Sequence, residues 1–326
     1  MKDLPRVPLA ALPTPLQRAR RLEAAIDAPP IWIKRDDLVG FALAGNKARK
    51  LELLVADALE HGCDVLLTGG GPGSNHCQAT AAAARVANLE CRLVMYGIEP
   101  VPPPANLRLS RAFGARVSFT DDPDRASVDA SLEAAAQELR AAGRAPYTIP
   151  RGGATPLGAA GYALAAEELA GQLAKEEVEA VTVVVANGSS GTQAGLVAGA
   201  AALALPWQVI GAATSRDPQE SRRRVLELAA GCADLLGATG PEPEGVRVLD
   251  ARGAGYARRS PAAREAAELA AGTEGLLLDH VFTAKAMATL IEVVRQGAEG
   301  PFVFIHTGGL PAVLDDPAPF GEEGIG

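Results

Sequence analysis

One unit recurs along the chain: a short apolar run, a turn rich in glycine, and a helix of small residues. Residues 64–68 (DVLLT) lead into the turn 69–75 (GGGPGSN) and then a helix from 76 to about 87. Residues 181–186, the most apolar run of the chain, lead into 187–192 (NGSSGT) and a helix over 193–203. Short apolar runs that feed amphipathic or small-residue helices are the pattern of parallel sheets covered on both faces. Further strands are expected at 31–34, 91–96, 115–119, 147–149, 208–213, 246–249 and 302–306. Helices are expected at 46–61, 105–113, 127–142, 156–173, 218–230, 261–271 and 283–295, with a last short one after 309. The first thirty residues carry six prolines and are expected to wrap the surface; 231–245 reads as a loop. No repeat of 20–50 residues is present.

Composition narrows the function. At 326 residues the chain has room for one large domain or two smaller ones. Aromatics make up only 4 % while alanine and glycine abound, which suits helices packed closely on a sheet. A net charge of −8 offers no basis for binding nucleic acid or an anionic membrane. The basic run 222–224 reads as a solvated helix face. Four cysteines without a CxxC pair, and four histidines, form no metal-ligand pattern. No apolar run is long enough to span a bilayer, and the N-terminus lacks an apolar leader core. The expectation is a cytoplasmic protein with reduced thiols.

Chemistry concentrates in 31–52 (IWIKRDDLVGFALAGNKARKLE). A short strand, a charged turn and a glycine-punctuated loop precede a helix for which Asn46 is the expected N-cap. Lys47 and Lys50 then share one face of the first turn, where the macrodipole disfavours cations. Either this is a solvated basic turn, or an anionic or electrophilic group sits in front of them. The turn 188–192 is a candidate phosphate cradle, since glycines admit an anion to the backbone N–H groups of a helix start. It is neither a Walker A loop nor a dinucleotide fingerprint. A tight strand-to-helix turn is the plain alternative for any one such loop. Turns 69–75 and 307–309 repeat the theme. Several phosphate-cradle candidates plus a lysine amine outline a pyridoxal phosphate site.

Six ordered segments carry a family resemblance: KRDD with GNKARKLE, GGGPGSNHCQATAAAA, PRGGATPLGAAGY, ANGSSGTQAG, DHVFTAKAM and FIHTGGLPAV. Over roughly residues 8–315 the chain resembles the 1-aminocyclopropane-1-carboxylate (ACC) deaminase and D-cysteine desulfhydrase family of fold type II, tryptophan-synthase-β-like pyridoxal-phosphate enzymes. The resemblance implies an α/β fold of two domains, each an open, mostly parallel sheet flanked by helices, with the cofactor between them. The expected larger domain comprises 1–49 and 159–326, and the smaller one 50–158. It also implies a homodimer. Lys47 matches the lysine that bonds the cofactor covalently, and Lys50 a lysine on its phosphate side. Gly188, Ser189, Ser190, Gly191 and Thr192 match the phosphate loop. Ser74 matches a serine acting on substrate, and Asn75 an asparagine near the ring hydroxyl. Thr283 stands where the deaminases carry a glutamate by the pyridine nitrogen and the desulfhydrases a threonine. Thr307 and Gly308 lie in the HTGG turn on the same side, and Tyr256 matches an active-site tyrosine.

The implied activity is α,β-elimination from a β-substituted amino acid, as in D-cysteine desulfhydrases, giving a 2-oxo acid, ammonia and sulfide. A neutral threonine opposite the ring nitrogen makes the ring a weaker electron sink, which favours elimination over cyclopropane opening. Two positions depart from the family pattern. Gly73 replaces a glutamine and Phe282 a tyrosine, so two polar groups are lost beside Ser74, Asn75 and His76 in the expected substrate pocket. ACC deamination, an L-cysteate lyase-type activity and cofactor binding without turnover are the alternatives. His76 reads as a packing residue at a helix start, or as catalytic. His306 reads as a residue orienting backbone, Cys77 as a buried small residue. His280 is read as facing either the pocket or the surface, and Arg151 as meeting either a substrate carboxylate or a structural ion-pair partner.

Overall fold

The structure is a computed structural model and describes residues 2–316. The chain enters through β1 (Leu16–Arg18), α1 (Arg20–Ile26) and β2 (Ile31–Lys34). The proline-rich N-terminal segment therefore does more than wrap the surface. β1 pairs antiparallel with β2 at the sheet edge. The Glu23 carboxylate accepts the Ile31 N–H at 2.8 Å and the Arg18 Nε at 2.6 Å. Seven residues with only Leu22 buried give α1 too little apolar periodicity to be read from the sequence.

Next comes α2 (Asn46–Glu60), then β3 (Val65–Gly70), α3 (Asn75–Val86), β4 (Glu90–Met95), α4 (Ala105–Ala112), β5 (Arg116–Phe119), α5 (Ser127–Ala141) and β6 (Pro146–Thr148). Their strands form a four-stranded sheet, order β5-β4-β3-β6, all parallel. The chain then returns through α6 (Pro156–Ala174), β7 (Val181–Asn187), α7 (Gly191–Ala202), β8 (Trp207–Ala213), α8 (Pro218–Leu236) and β9 (Val246–Asp250). It ends with α9 (Pro261–Glu274), α10 (Thr283–Arg295), β10 (Phe302–Ile305) and α11 (Leu310–Asp315). The second sheet has six strands, order β1-β2-β10-β7-β8-β9, parallel except at β1. The expected boundary between 49 and 50 falls inside the continuous helix α2, which packs on both α3 and α6.

The apolar runs are continuous because both faces of the six-stranded sheet are covered. Trp32, Val303, Val183, Val209 and Val246 stand side by side across five strands and pack under α6, α7 and α8. One residue further along, Ile33, Phe304, Val184 and Ile210 form the row on the opposite face, against α9 and α10. Glycine lets the helices approach: a Cβ on Gly195 of α7 would lie 2.0 Å from the Ala159 carbonyl oxygen, and one on Gly161 of α6 would lie 2.3 Å from that of Arg49. Helix α8 runs on to Leu236, through residues expected to form a loop. Gly231 looked like a helix end. It is instead a contact point, where a Cβ would lie 2.8 Å from Pro156, and Cys232 and Leu236 beyond it are buried.

Helix α2 is anchored by a buried ion network on the side away from its lysines. The Arg49 guanidinium donates to Asp36 at 2.9 and 3.0 Å and to Glu168 of α6 at 2.9 and 3.0 Å. Asp36 also accepts from Thr14 Oγ1 at 2.7 Å and from the Tyr162 hydroxyl, and Lys34 pairs with Glu168. Removing one member leaves buried charge uncompensated. Arg49→Ala is expected to lower the unfolding free energy by about 3–5 kcal/mol, read as a fall in urea midpoint at constant m value.

Candidate active site

A cavity opens between the two sheets, and its wall segments follow the C-terminal ends of parallel strands, as in open α/β sheets generally. The four-stranded sheet supplies Gly69 and Gly70 at the end of β3, Gly71 and Gly73–His76 after it, Tyr96 after β4 and Arg125 after β5. The six-stranded sheet supplies Gly188–Ser190 and Thr192 after β7, Ser215 and Arg216 after β8, and Tyr256 after β9. Asp279 and Phe282 stand before α10, and Thr307 and Gly308 follow β10. Asn46 and Lys47 enter from the start of α2.

The start of α2 differs from the expectation in one respect. Asn46 is its first residue, and Gly45 occupies the cap position with φ 54°. A side chain at 45 is precluded, since a Cβ would lie 2.2 Å from the Thr307 carbonyl oxygen; that same oxygen accepts the Asn46 N–H at 3.0 Å. The Asn46 side chain is thereby released for the site. Its Oδ1 accepts from Lys47 Nζ at 2.9 Å, and its Nδ2 donates to Thr192 Oγ1 at 2.9 Å. Burial pushes the Lys47 amine down to about 8, against an opposing pull from Asp279.

Lys50, one turn on, lies behind the cavity wall and is fully buried. Its Nζ makes one long hydrogen bond among the described residues, 3.4 Å to the Gly152 carbonyl. A Cβ on Gly191 would lie 3.0 Å from Lys50 Nζ, so the ammonium sits against the first turn of α7. Burial, then the Lys47 charge, drive the Lys50 amine well below the usual range. A buried cation beside a helix N-terminus, with no carboxylate bonded to it among the described residues, is what a phosphate group would complete. The cap of α7 is Ser190 in a left-handed conformation (φ 73°), held by its hydroxyl donating to Asn187 Oδ1 at 3.1 Å.

Across the cavity, Ser74 caps α3, its Oγ accepting the Cys77 N–H at 3.2 Å, which leaves the hydroxyl proton free to be donated. Asn106 of α4 holds this turn by donating to the Gly73 carbonyl at 2.9 Å and to Asn75 Oδ1 at 2.8 Å. His76 Nε2 lies 3.1 Å from Thr68 Oγ1, which itself donates to the Ile149 carbonyl at 2.7 Å. That chain assigns the ring proton to Nε2 and leaves Nδ1 a buried acceptor without a partner. Burial, Lys47 and Lys50 hold this histidine neutral. Gly73 faces open space: nothing lies within 4 Å of a Cβ built there.

Thr283 does not line the cavity. It is fully buried, and its hydroxyl donates to Asp279 Oδ2 at 2.7 Å. Asp279 also accepts the N–H groups of Val281, Phe282 and Thr283 at 2.8–3.1 Å. The group this turn presents to the cavity is thus a carboxylate, and Thr283 orients it. Gly191 likewise lies behind the wall. Tyr256 meets Phe282 edge to face at 6.2 Å, and burial pushes its phenol up to about 12. The turn before it is tied down by Lys285, whose Nζ donates to the Arg252 and Gly255 carbonyls at 2.7 and 2.9 Å. Arg151 is held in a two-bond ion pair with Asp129. His306 orients its glycine turn, Nδ1 accepting the Gly308 N–H at 3.4 Å; His280 does not line this cavity, and Cys77 is a buried thiol raised to about 11.

Tyr96, Asn106, Arg125, Arg216 and Asp279 carry no mark in the sequence that assigns them to the site, and Asn46 reads there only as a helix cap. Asp279 stands four residues before a helix, where an acidic cap is a readable signal. Tyr96, Arg125 and Arg216 each follow a strand end, the place the sheet rule marks.

The model of the family described as pyridoxal-phosphate dependent enzyme matches residues 7–308. The D-cysteine desulfhydrase of Salmonella choleraesuis (strain SC-B67) is 41 % identical over 95 % of each chain. That of Salmonella paratyphi C (strain RKS4594) is equally similar. The crystal structure of an ACC deaminase homologue superposes with a TM-score of 0.89 at 35 % identity, covering 95 % of this chain and 94 % of the other. An O-ureido-L-serine synthase mutant, at 15 % identity and a TM-score of 0.65 over 92 % of this chain and 89 % of its own, shares the fold. The chain belongs to the pyridoxal-phosphate dependent enzyme family. Its cofactor is pyridoxal 5′-phosphate, and the Lys50–α7 cradle fits the phosphate of that group.

Two outcomes are expected. In cofactor-free protein, the rate at which added pyridoxal phosphate yields the visible band of the lysine-linked form should rise with pH, with a midpoint near 8 as Lys47 loses its proton. An ordinary lysine would give a midpoint about two units higher. Lys50→Met should weaken cofactor binding about 10- to 100-fold, the size of a lost charge-assisted bond, in a fluorescence titration.

Proposed function

We propose that the protein is a lyase that removes a β-substituent and the amino group from a small amino acid, in the manner of a D-cysteine desulfhydrase. The observation that carries this reading is the buried Lys47 amine at about 8, in a cavity shared with Ser74 and Tyr256. A base with that affinity for protons can take one from carbon near neutral pH. The similarity to D-cysteine desulfhydrases over nearly the whole chain supports the same reading.

When bound, pyridoxal phosphate supplies a carbonyl that takes the substrate amine and a ring that withdraws electrons from Cα. The chain's own residues do the rest. Gly188–Thr192 and Lys50 hold the phosphate end. Asn46 keeps Lys47 aimed into the cavity through the 2.9 Å bond to its Nζ. Lys47, freed when substrate takes its place, accepts the Cα proton. The α3 start, with Ser74 and Asn75, binds the substrate carboxylate through its N–H groups and hydroxyl. Tyr256, held protonated by burial, donates toward the departing group. Asp279 fixes charge at the far wall.

The two sheets act as two domains, 50–158 forming the smaller, and their approach excludes water from the cavity. The enzyme works as a homodimer in the cytoplasm. Among the described residues no helix is long and apolar enough to cross a membrane, and the four cysteines are unbonded. Assay of D-cysteine should release pyruvate and sulfide, and Lys47→Ala should abolish both. Release of 2-oxobutyrate from 1-aminocyclopropane-1-carboxylate, without sulfide from D-cysteine, would replace this reading with the deaminase. Gly73→Gln with Phe282→Tyr should raise D-cysteine kcat/KM if the missing amide and phenol weaken its binding; no gain would remove both positions from that role.

A further inference from the structure

Three arginines from three separate loops line the cavity: Arg125, Arg151 and Arg216. Two have conventional partners. Arg151 pairs with Asp129 at 2.7 Å. Arg216 donates to the Gly188 carbonyl at 2.6 Å and lies 3.3 Å from Glu220. Arg125 differs. Its guanidinium lies over the ring of Tyr256 at 4.0 Å, and among the described residues no carboxylate pairs with it. Among the described residues the cavity lining holds one carboxylate, Asp279, and four donors of its own turn hold that group in place. The same-sign crowding is felt at Arg216, which burial lowers and to which Arg224, Arg151 and Arg125 add.

Arg125, Gly73, Phe282 and Tyr256 line one cavity. Gly73 leaves its side of the cavity open, and Phe282 offers an apolar ring edge against Tyr256. Stacking on an aromatic face fixes a guanidinium plane while leaving its N–H fork directed outward. Such a fork matches an oxyanion with two or three oxygens better than a single thiol.

We propose that Arg125 is a specificity-determining residue, and that the substrate class is a β-substituted alanine whose leaving group is itself an oxyanion, such as a phosphate or sulfate ester. This rests on the lyase reading above and sharpens it. The Cα proton goes to Lys47, its electron pair forms the Cα–Cβ double bond, and the Cβ–O bond breaks. The oxyanion departs with that bond's electron pair into the Arg125 fork. For O-phosphoserine the balance is one water consumed, with pyruvate, ammonium and hydrogen phosphate released.

The test measures keto acid release by the holoenzyme from both enantiomers of O-phosphoserine, serine O-sulfate and β-chloroalanine. The last carries a good leaving group without a charge. The expected result is turnover of at least one oxyanion substrate. In Arg125→Gln its kcat/KM should fall about 10- to 100-fold relative to that of β-chloroalanine, as for a lost charge-assisted contact. Arg125→Lys should recover part of that ratio. An unchanged ratio in Arg125→Gln, or turnover of β-chloroalanine with none of the oxyanion substrates, overturns the assignment and leaves the lyase reading standing. No keto acid from any of these substrates in the wild type overturns both.

Discussion

The position of helix α2 rests on one buried guanidinium. Arg49 reaches Asp36 after β2 and Glu168 on α6, and so locks the helix to the six-stranded sheet and its covering layer. Ion pairs this deep contribute little net stability, because desolvation offsets attraction, but they penalise any other arrangement heavily. The helix therefore has one register against its neighbours. With Arg49 fixed on one side, Lys47 and Lys50 can only face the other. Gly161 on α6 completes the lock by letting the two backbones meet.

The opposite side of α2 is a deliberate electrostatic conflict. Two amines are buried within a turn of each other at a helix start; loss of solvent drives both toward neutrality, and the Lys47 charge adds to the effect at Lys50. A phosphate at α7 would sit against Lys50 and offset its charge. Lys47, at about 8, reaches its neutral amine form close to neutral pH. Asn46 ties the two halves together, one end on Lys47 and the other on Thr192 of the phosphate turn.

Glycine does most of the shaping around this pair. At 45 it admits the Thr307 carbonyl, at 191 the Lys50 ammonium, and at 73 it leaves room that a glutamine would occupy. Phe282 and Tyr256 close the wall facing that room, with Lys285 holding the turn that carries the tyrosine. Among the described residues the cavity lining carries three arginines and one carboxylate, Asp279.

The sequence by itself determined the strand–helix alternation, the glycine turns at strand ends, the family and the two lysines, because each is written in local periodicity or in contiguous motifs. It also located part of the cavity wall: Gly73–His76, Gly188–Ser190, Thr192, Tyr256, Phe282, Thr307 and Gly308 all line it, while the segments after β4, β5 and β8 carry no such local signature. Tertiary structure alone decided what each side chain faces. Asn46 reads locally as a cap, yet contact with Thr307 moves that duty to Gly45 and frees the amide. Thr283 reads as a ring contact, yet its hydroxyl is consumed by Asp279 four residues earlier. Arg125 is one arginine among many in the chain. It becomes a pocket residue only because β5 and β9 end on opposite sides of one cleft and bring it over Tyr256. The pairings of Arg125 with Tyr256 and of Asn46 with Thr192 join residues 131 and 146 positions apart, a separation over which no local pattern carries information.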